Sequence, residues 1–503
     1  MGGKFYFCFV LLCCIVGKMA VQAQSGEFDE YKKRMHSEYR SFVKQYKEDY
    51  AAFREKTNAD YAEFVRRAWE EMKGMQAVPR PKDEKPVPPV VMPEEEKEKP
   101  VIPQEMPIEE VIEKPKPQPQ PQPFVPIEEK PVEPTKTPVL NFVTMGTKCQ
   151  VRLGDEHRFK LKGLTNEAVA QAWVLLSSDK YIPVINDCLN LRRDMQLCDW
   201  AYMNLLNDLT AAFCGKGTNE ATMLMAYIYC QSGYKMRLAF YGESLEMLFA
   251  SRHCIYGVNY WSIDGYNFYP YRNSLANNLV VSSAKFKGEQ PMSLVVDNDI
   301  LLDEYFTEQR VLKSERYKDL VVTARVNKNL IDFYNDYPDS ELNNDFGTRW
   351  AMYATAPLSA DLRETLHRNL REHLAGKSPL QAVEEILNWV QTAFVYEYDD
   401  KVWGKDRVFF PEESLYYPYC DCEDRSILFS RIVRDLLHLK VALIYYPGHL
   451  AAAVHFTTDV VGDYVVVNNE KYVIADPTYI GASVGKTMPD MDNAKAKVIL
   501  LTD

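Results

Sequence analysis

Between Val78 and Leu140 the chain holds 18 of its 29 prolines, and that density sets the first constraint on what it can fold into. Each proline removes a backbone donor and fixes φ, so neither a helix nor a central strand can run through such a stretch. Interleaved with glutamate, lysine and the run KPKPQPQPQPF, residues 78–140 read as an extended, semi-rigid linker without a core of its own. The linker separates a short N-terminal part from a body of roughly 360 residues, long enough for two domains.

Residues 1–23 carry Lys4, an apolar stretch from Phe5 to Gly17 and the small-residue pattern Val21-Gln22-Ala23. Too short to span a bilayer, this is the pattern of a cleavable signal peptide, which directs the chain to a secreted or periplasmic location. A lipid anchor would want a small residue ahead of the modified cysteine, whereas Leu12 and Cys13 precede Cys13 and Cys14. No later segment has the length and apolarity of a membrane span.

Residues 24–77 read as one long amphipathic helix. From Phe28 to Glu71 four eleven-residue blocks repeat the pairs Phe28/Tyr31, Tyr39/Phe42, Tyr50/Phe53 and Tyr61/Phe64. Eleven residues make close to three α-helical turns, so these rings line one slowly drifting stripe. Eleven acids and eleven bases between 24 and 77 suit a solvated face with local ion pairs. The stripe on 28–72 is expected to pack on the protein's own body, on a second copy or in a partner's groove.

Without residues 1–23, which hold Lys4, Lys18 and no acid, 57 basic residues stand against 71 acidic ones. That balance argues against nucleic acid and anionic membranes as partners. Of eleven cysteines, three lie in the signal. In an oxidising compartment some of Cys149, Cys188, Cys198, Cys214, Cys230 and Cys254 can pair, with a connectivity the sequence leaves open.

Chemistry concentrates in the last hundred residues. In YCDCEDRSILFSRIVRDLLHL the apolar residues Ile427, Leu428, Ile432, Val433, Leu436 and Leu437 recur at helical spacing, which puts Glu423 and Asp424 in the first turn and Cys422 at or beside the N-cap. Free N–H groups there stabilise a thiolate and can hold an oxyanion. The adjacent carboxylates oppose thiolate formation, so a basic partner is required. Cys420 lies outside the helix and points elsewhere. Next, VALIYYPGHLAAAVHF is a strand, a Pro-Gly turn and a second strand starting at His449, and Asp476 closes a later strand just before Pro477. A cysteine nucleophile needs a histidine to take and return its proton and an acid to orient that histidine. His455 shares the face of His449 but stands about 20 Å along the strand, and His438 suits a helix C-terminus. Trp403 is either a wall of the site or a core residue.

From about Leu380 to Thr478 the chain resembles the transglutaminase-like superfamily, through AVEEILNWVQTAFVYEYDD, CEDRSILF, GHLAAAV and ADPT. The resemblance implies a papain-like core, a helix packed on an antiparallel sheet, with Cys422 as nucleophile, His449 as base and Asp476 as orienting acid. The chain departs from the family in having YCD where a glycine usually precedes the cysteine, and HLA where the histidine is commonly followed by Ala-Trp; both bear on substrate class.

A second pattern of the same kind, acid, apolar helix, strand, turn and strand, runs through GTNEATMLMAYIYCQSGYKMRLAFYGESLEMLF to GYNFYPY. Aligned by eye it sets Thr218 against Cys422, Ser244 against His449 and Tyr269 against Asp476, so no catalytic group remains in that copy. The expected architecture is therefore α+β, with a degenerate copy at 141–275, a β-rich connecting module at 276–350 and a catalytic domain at 351–503. The expected function is acyl transfer from an amide of a peptide or protein substrate, most simply hydrolysis as a cysteine peptidase or amidase. Transglutamination and a non-enzymatic adaptor scaffold are the alternatives. The sequence offers no signature of a metal or cofactor.

Overall fold

The computed structural model describes residues 25–81, 86–97, 99–127, 138–271 and 278–501; residues 1–23, expected to be a signal peptide, lie outside them. The chain forms two units, 1–57 and 58–503. Helix α1 (Ser25–Arg66) begins in the first unit, where Tyr39, Phe42 and Phe53 of its aromatic stripe are exposed. In the second unit its last turns are buried. Tyr61 stacks on Phe286 and Trp173 with ring centroids 4.3 and 4.2 Å apart, and Asn58 accepts from Gln231 Nε2 at 2.9 Å and from Trp173 Nε1 at 3.2 Å.

The helix stops at Arg66 rather than at 77. Trp69 leaves it to stack on Phe240 at 3.9 Å, and strand β1 (Glu70–Lys73) pairs with a sheet edge, a ladder that replaces the helical hydrogen bonds the segment gives up. The proline-rich stretch is extended, as its prolines dictate, but it is not a free spacer. It contributes strands β2 (Val90–Val91) and β3 (Glu110–Glu113) and buries Met92, Met106, Ile112 and Val125. The prolines flank these short paired pieces and so cost them no ladder donor.

The body is α+β, with two six-stranded sheets. In the N-terminal half, α2 (Asn219–Gln231) is followed by β4 (Met236–Tyr241), β5 (Ser244–Ser251), β6 (Trp261–Ile263), β7 (Tyr266–Pro270) and β8 (Asn278–Val281). Their spatial order is β6-β7-β5-β4-β8-β1. In the C-terminal half come α3 (Ala360–Leu374), α4 (Pro379–Ala393), α5 (Cys422–Leu437), β9 (Lys440–Tyr446), β10 (His449–His455), β11 (Tyr464–Val467), β12 (Glu470–Ala475), β13 (Tyr479–Ile480) and β14 (Lys497–Leu500). This sheet has the order β11-β12-β10-β9-β14-β3. The two halves thus repeat one topology, each with a helix packed on its central hairpin and each completed by an edge strand from the N-terminal segment. Within these two sheets every described pairing is antiparallel except the β3–β14 edge, which is parallel.

The registers refine the internal alignment. Ser244 and His449 occupy the same place, because Tyr241–Ser244 and Tyr446–His449 each close a two-residue hairpin turn. At the helix start the match shifts by one: Thr218 and Asp421 are the N-caps, and Asn219 and Cys422 are the first helical residues. Tyr269 is not the counterpart of Asp476. Pro270 lies opposite Leu248 and Ala475 opposite Ala452, so Pro270 matches Ile474 rather than a residue beyond Asp476, and the counterpart of Asp476 lies outside the described residues.

Between the halves, the stretch expected as a β-rich module is mixed. β8 belongs to the first sheet, Arg310–Lys313 and Val321–Ala324 form a hairpin, and Lys328–Asn335 and Thr348–Thr355 are helices. Residues 291–305 run irregularly although Leu294, Val295 and Val296 are buried. The eight cysteines from Cys149 to Cys422 are all free thiols, so none of the pairings considered for Cys149, Cys188, Cys198, Cys214, Cys230 and Cys254 is present.

Candidate functional site

Helix α5 starts where its sequence predicts. The Asp421 carboxylate caps it by accepting from the Glu423 N–H at 3.1 Å, and the Asp424 carboxylate returns the bond to the Asp421 N–H at 3.3 Å. Cys422 is therefore the first helical residue, with its sulfur at the positive end of the helix. Two residues bind the helix to the rest of the half. Ser426 Oγ donates to Leu450 O at 2.8 Å, and the fully buried Arg425 donates to the carbonyls of Gln391 and Phe394 at the end of α4.

The Pro447-Gly448 turn, with Gly448 at φ 77°, brings β10 back so that its first residue, His449, stands beside Cys422. Glycine is suited to that left-handed position. The His449 ring is 2% exposed, lies parallel to Tyr446 at 6.1 Å, and through Nε2 bonds Asp476 Oδ2 at 2.8 Å. Nδ1 is buried and has no hydrogen-bond partner. Asp476 is itself fixed: its Oδ1 accepts from the N–H groups of Thr478 and Tyr479 at 2.8 and 3.3 Å.

Cys422 and His449 line one small cavity with Pro86, Trp350, Tyr445 and Gly448. His455 is excluded from it, its Nδ1–H donating to Lys471 O at 3.0 Å instead. Cys420 is buried in a short strand paired with Val395–Tyr396 and does not reach the cavity. His438 is the left-handed C-cap of α5, and Trp403 packs with Phe409, Tyr417 and Arg407 away from the cavity. The Cys422 thiol is pushed well above its ordinary value, first by burial and then by the charges of Asp421 and Glu423, while the Leu450 N–H hydrogen-bonds the sulfur and opposes the shift. The N-terminal half has a contact at the same place: Asn219 Oδ1 accepts from the N–H of Leu245, the residue after Ser244, at 2.9 Å.

Three features escaped the sequence. Gln391 on α4 is the clamp of the Asp476 turn: its Nε2 donates to the carbonyls of Asp476, Tyr479 and Ala482 at 3.1, 2.8 and 3.1 Å, and its Oε1 accepts from the Gly481 N–H at 3.1 Å. A glutamine on a helix gives no local sign of such a role. Second, Asp399, Asp421 and Glu423 are buried with carboxylate oxygens within 4.8 Å of one another. Burial, then the neighbouring charge of Glu423, raises Asp399 to about 8. Arg349 answers this charge, reaching Asp406 at 2.9 Å and Glu423 at 3.3 Å, with Trp350 Nε1 on Glu423 at 2.6 Å. Oxygen donors of this kind could hold a hard cation such as calcium or magnesium.

The third feature is the strap. Pro86 lines the cavity, the Val87 N–H donates to Gly448 O at 2.8 Å, and β2 pairs in parallel with β13 just beyond Asp476. The Met92 N–H donates to Ile480 O at 2.9 Å, and its side chain is buried with Tyr479, Ala482 and Met488. Arg80 ties the chain down upstream, to Asp339 at 3.0 Å and Asp406 at 2.6 Å. Beneath the strap the cavity measures about 30 Å³, room for a water and for no substrate. No helix among the described residues is long and apolar enough to cross a membrane. No family model, curated protein or solved structure matches the chain.

Proposed function

We propose that this protein is a thiol-dependent acyl-transfer enzyme of transglutaminase-like type that cleaves amide bonds of peptides, with Cys422, His449 and Asp476 as its catalytic residues. The observation that carries the reading is the tethering of His449 through Nε2 to Asp476, which leaves the unpartnered Nδ1 as the free base in the cavity it shares with Cys422. Nδ1 takes the thiol proton as Sγ attacks the amide carbonyl carbon. The developing oxyanion is met by N–H groups at the start of α5. Collapse of the intermediate breaks the C–N bond, and the imidazolium returns the proton to the leaving amine. Water, deprotonated by His449, then attacks the thioester and regenerates the thiol. Asp476 keeps the imidazole oriented and stabilises its charged form.

The peptide class of substrate is supported by the strap, in which an extended segment already lies beside the thiol through main-chain hydrogen bonds. The site is closed in this state, so turnover requires the strap to move. An amine in place of water would make the same machinery a transglutaminase. A binding-scaffold reading draws on the buried, protonated thiol, and predicts no turnover at all. We place the enzyme outside the cytoplasm on the pattern of residues 1–23. The deciding experiment is turnover of a peptide library with release of amine measured. Cys422→Ala should abolish it with the fold retained, and Cys420→Ala should keep most of it; equal loss in the two variants, or activity in the first, refutes the assignment.

A further inference from the structure

A second cavity lies far from Cys422. It has a volume of about 870 Å³ and opens between α3 and the C-terminal end of α5, on the order of 24 Å along the helix from the thiol. In a chain of net charge −12 its walls are basic: Arg363, Arg368 and Arg371 come from α3, Arg431 and Arg434 from α5, and Lys440 from the start of β9, against Glu364, Glu372 and Asp435. Two of the acids are spent locally, Glu364 on Arg368 at 2.6 Å and Asp435 on Arg431.

At the base sits His367, 5% exposed, with Nε2 buried and without a hydrogen-bond partner. Arg363, His367 and Arg371 follow one another at four-residue steps, so they share a face of α3, an arrangement that costs a helix stability when the charges are alike. Arg371 is exposed and makes no side-chain hydrogen bond or ion pair among the described residues, and Arg363 reaches Asp299 at 3.9 Å. An orphaned buried imidazole nitrogen costs more still. The three guanidiniums of Arg363, Arg371 and Arg431 hold the His367 pKa down, after burial, against the single opposing charge of Asp435. The helix C-terminus, which would repel an anion, is opposed by the charge of Arg434 in its last turn.

We propose that this cavity is a binding site for a phosphate-class oxyanion, gripped by Arg363 and Arg371 and hydrogen-bonded by His367. Planar guanidiniums match a tetrahedral oxyanion in pairs of hydrogen bonds, and the anion supplies both the acceptor that His367 Nε2 lacks and the counter-charge that Arg371 lacks. Free phosphates and the head groups of phospholipids share this chemistry.

The test uses the full chain with ¹⁵N-labelled histidine, titrated with inorganic phosphate, pyrophosphate, and vesicles of phosphatidylcholine with or without phosphatidylglycerol. Saturable binding that shifts the His367 imidazole resonances is expected. Arg371→Gln and Arg363→Gln should each weaken it on the order of tenfold, while Arg193→Gln, at an exposed site elsewhere, should leave it unchanged. Binding of the soluble anions alone identifies a free phosphate as the ligand, and binding of the anionic vesicles alone identifies a lipid head group, provided that the same two variants weaken it. Arg371→Gln by itself suffices if the Arg363 variant fails to fold. No saturable binding to any probe, or an affinity that Arg371→Gln leaves unchanged, overturns the proposal.

Discussion

Loosening the strap should expose Cys422 by an amount the contacts allow one to estimate. In the closed state a water-sized cavity separates the thiol from solvent, so an alkylating reagent reaches Cys422 only in molecules whose strap has lifted, and the labelling rate follows the opening equilibrium. Val87→Pro removes the N–H bonded to Gly448 O, worth about 1 kcal/mol, or about fivefold in that equilibrium. Met92→Ala empties a side chain that is 4% exposed. At the low end of the range for such truncations, about 2 kcal/mol, it multiplies opening about 30-fold. The contacts are separate, so the double variant should label on the order of 150-fold faster than the wild type if the effects add. The assay is peptide-resolved iodoacetamide labelling by mass spectrometry, with the fully buried Cys188 in the other half as the monitor of global unfolding. A Cys422 rate within about twofold of the wild type, or a parallel rise at Cys188, refutes the strap as the gate.

His449→Ala should lower the turnover rate on the order of 10²-fold or more, as expected for a general base, while His455→Ala, removing a half-buried ring bonded to Lys471 O, should act on the urea midpoint; the reverse ranking in a kinetic and denaturation comparison would move the base to His455. Gln391→Leu strips three carbonyls and one N–H of their partner, so the stability measured in urea should fall by at least about 2 kcal/mol and kcat should fall with it as Asp476 loses its anchor. The raised Asp399 carboxyl makes stability depend on pH. Its folded pKa of about 8 lies above the unfolded value of about 4, so the folded state holds the proton more tightly. This contribution is complete below pH 4 and is lost as pH rises towards 8. Asp399→Asn should flatten the decline in urea stability over that window by up to about 1.4 kcal/mol per pH unit, and an unchanged slope would show that the proton resides elsewhere in the cluster.

What was legible in the sequence lay where a local signal and the tertiary fold agree. The acid-rich first turn and apolar spacing after Cys422, the Pro-Gly turn before His449 and the Asp-Pro step after a strand each fix a backbone position within a residue or so, and the structure puts these three positions within one small volume. The internal repeat was visible as a pattern, but its alignment was off by one at Thr218 because N-cap and first helical residue look alike without the hydrogen bonds, and off further at Tyr269 because strand register is set by pairing rather than by sequence. The proline-rich segment misled for a different reason. Composition says that such a chain cannot make its own core; it says nothing about whether Met92, Met106 and Ile112 can enter a core made by others. Gln391 and Asp399 gave no sign, since both act through partners distant in sequence.

The wrapped N-terminal segment has a consequence for how the molecule is assembled. Its strand β1 finishes one sheet and its strand β3 finishes the other, and the Lys497–Glu110 ion pair spans 387 residues. Strand β1 must therefore wait for residues 278–281 and strand β3 for residues 497–500, the last strand of the chain. Loop closure over such separations is slow, and while it is pending both sheets present open edges, β8 in one half and β14 in the other, that can pair with the wrong chain. Closing the two edges with one continuous segment turns two independently formed halves into a single cooperative unit only at the final step of folding.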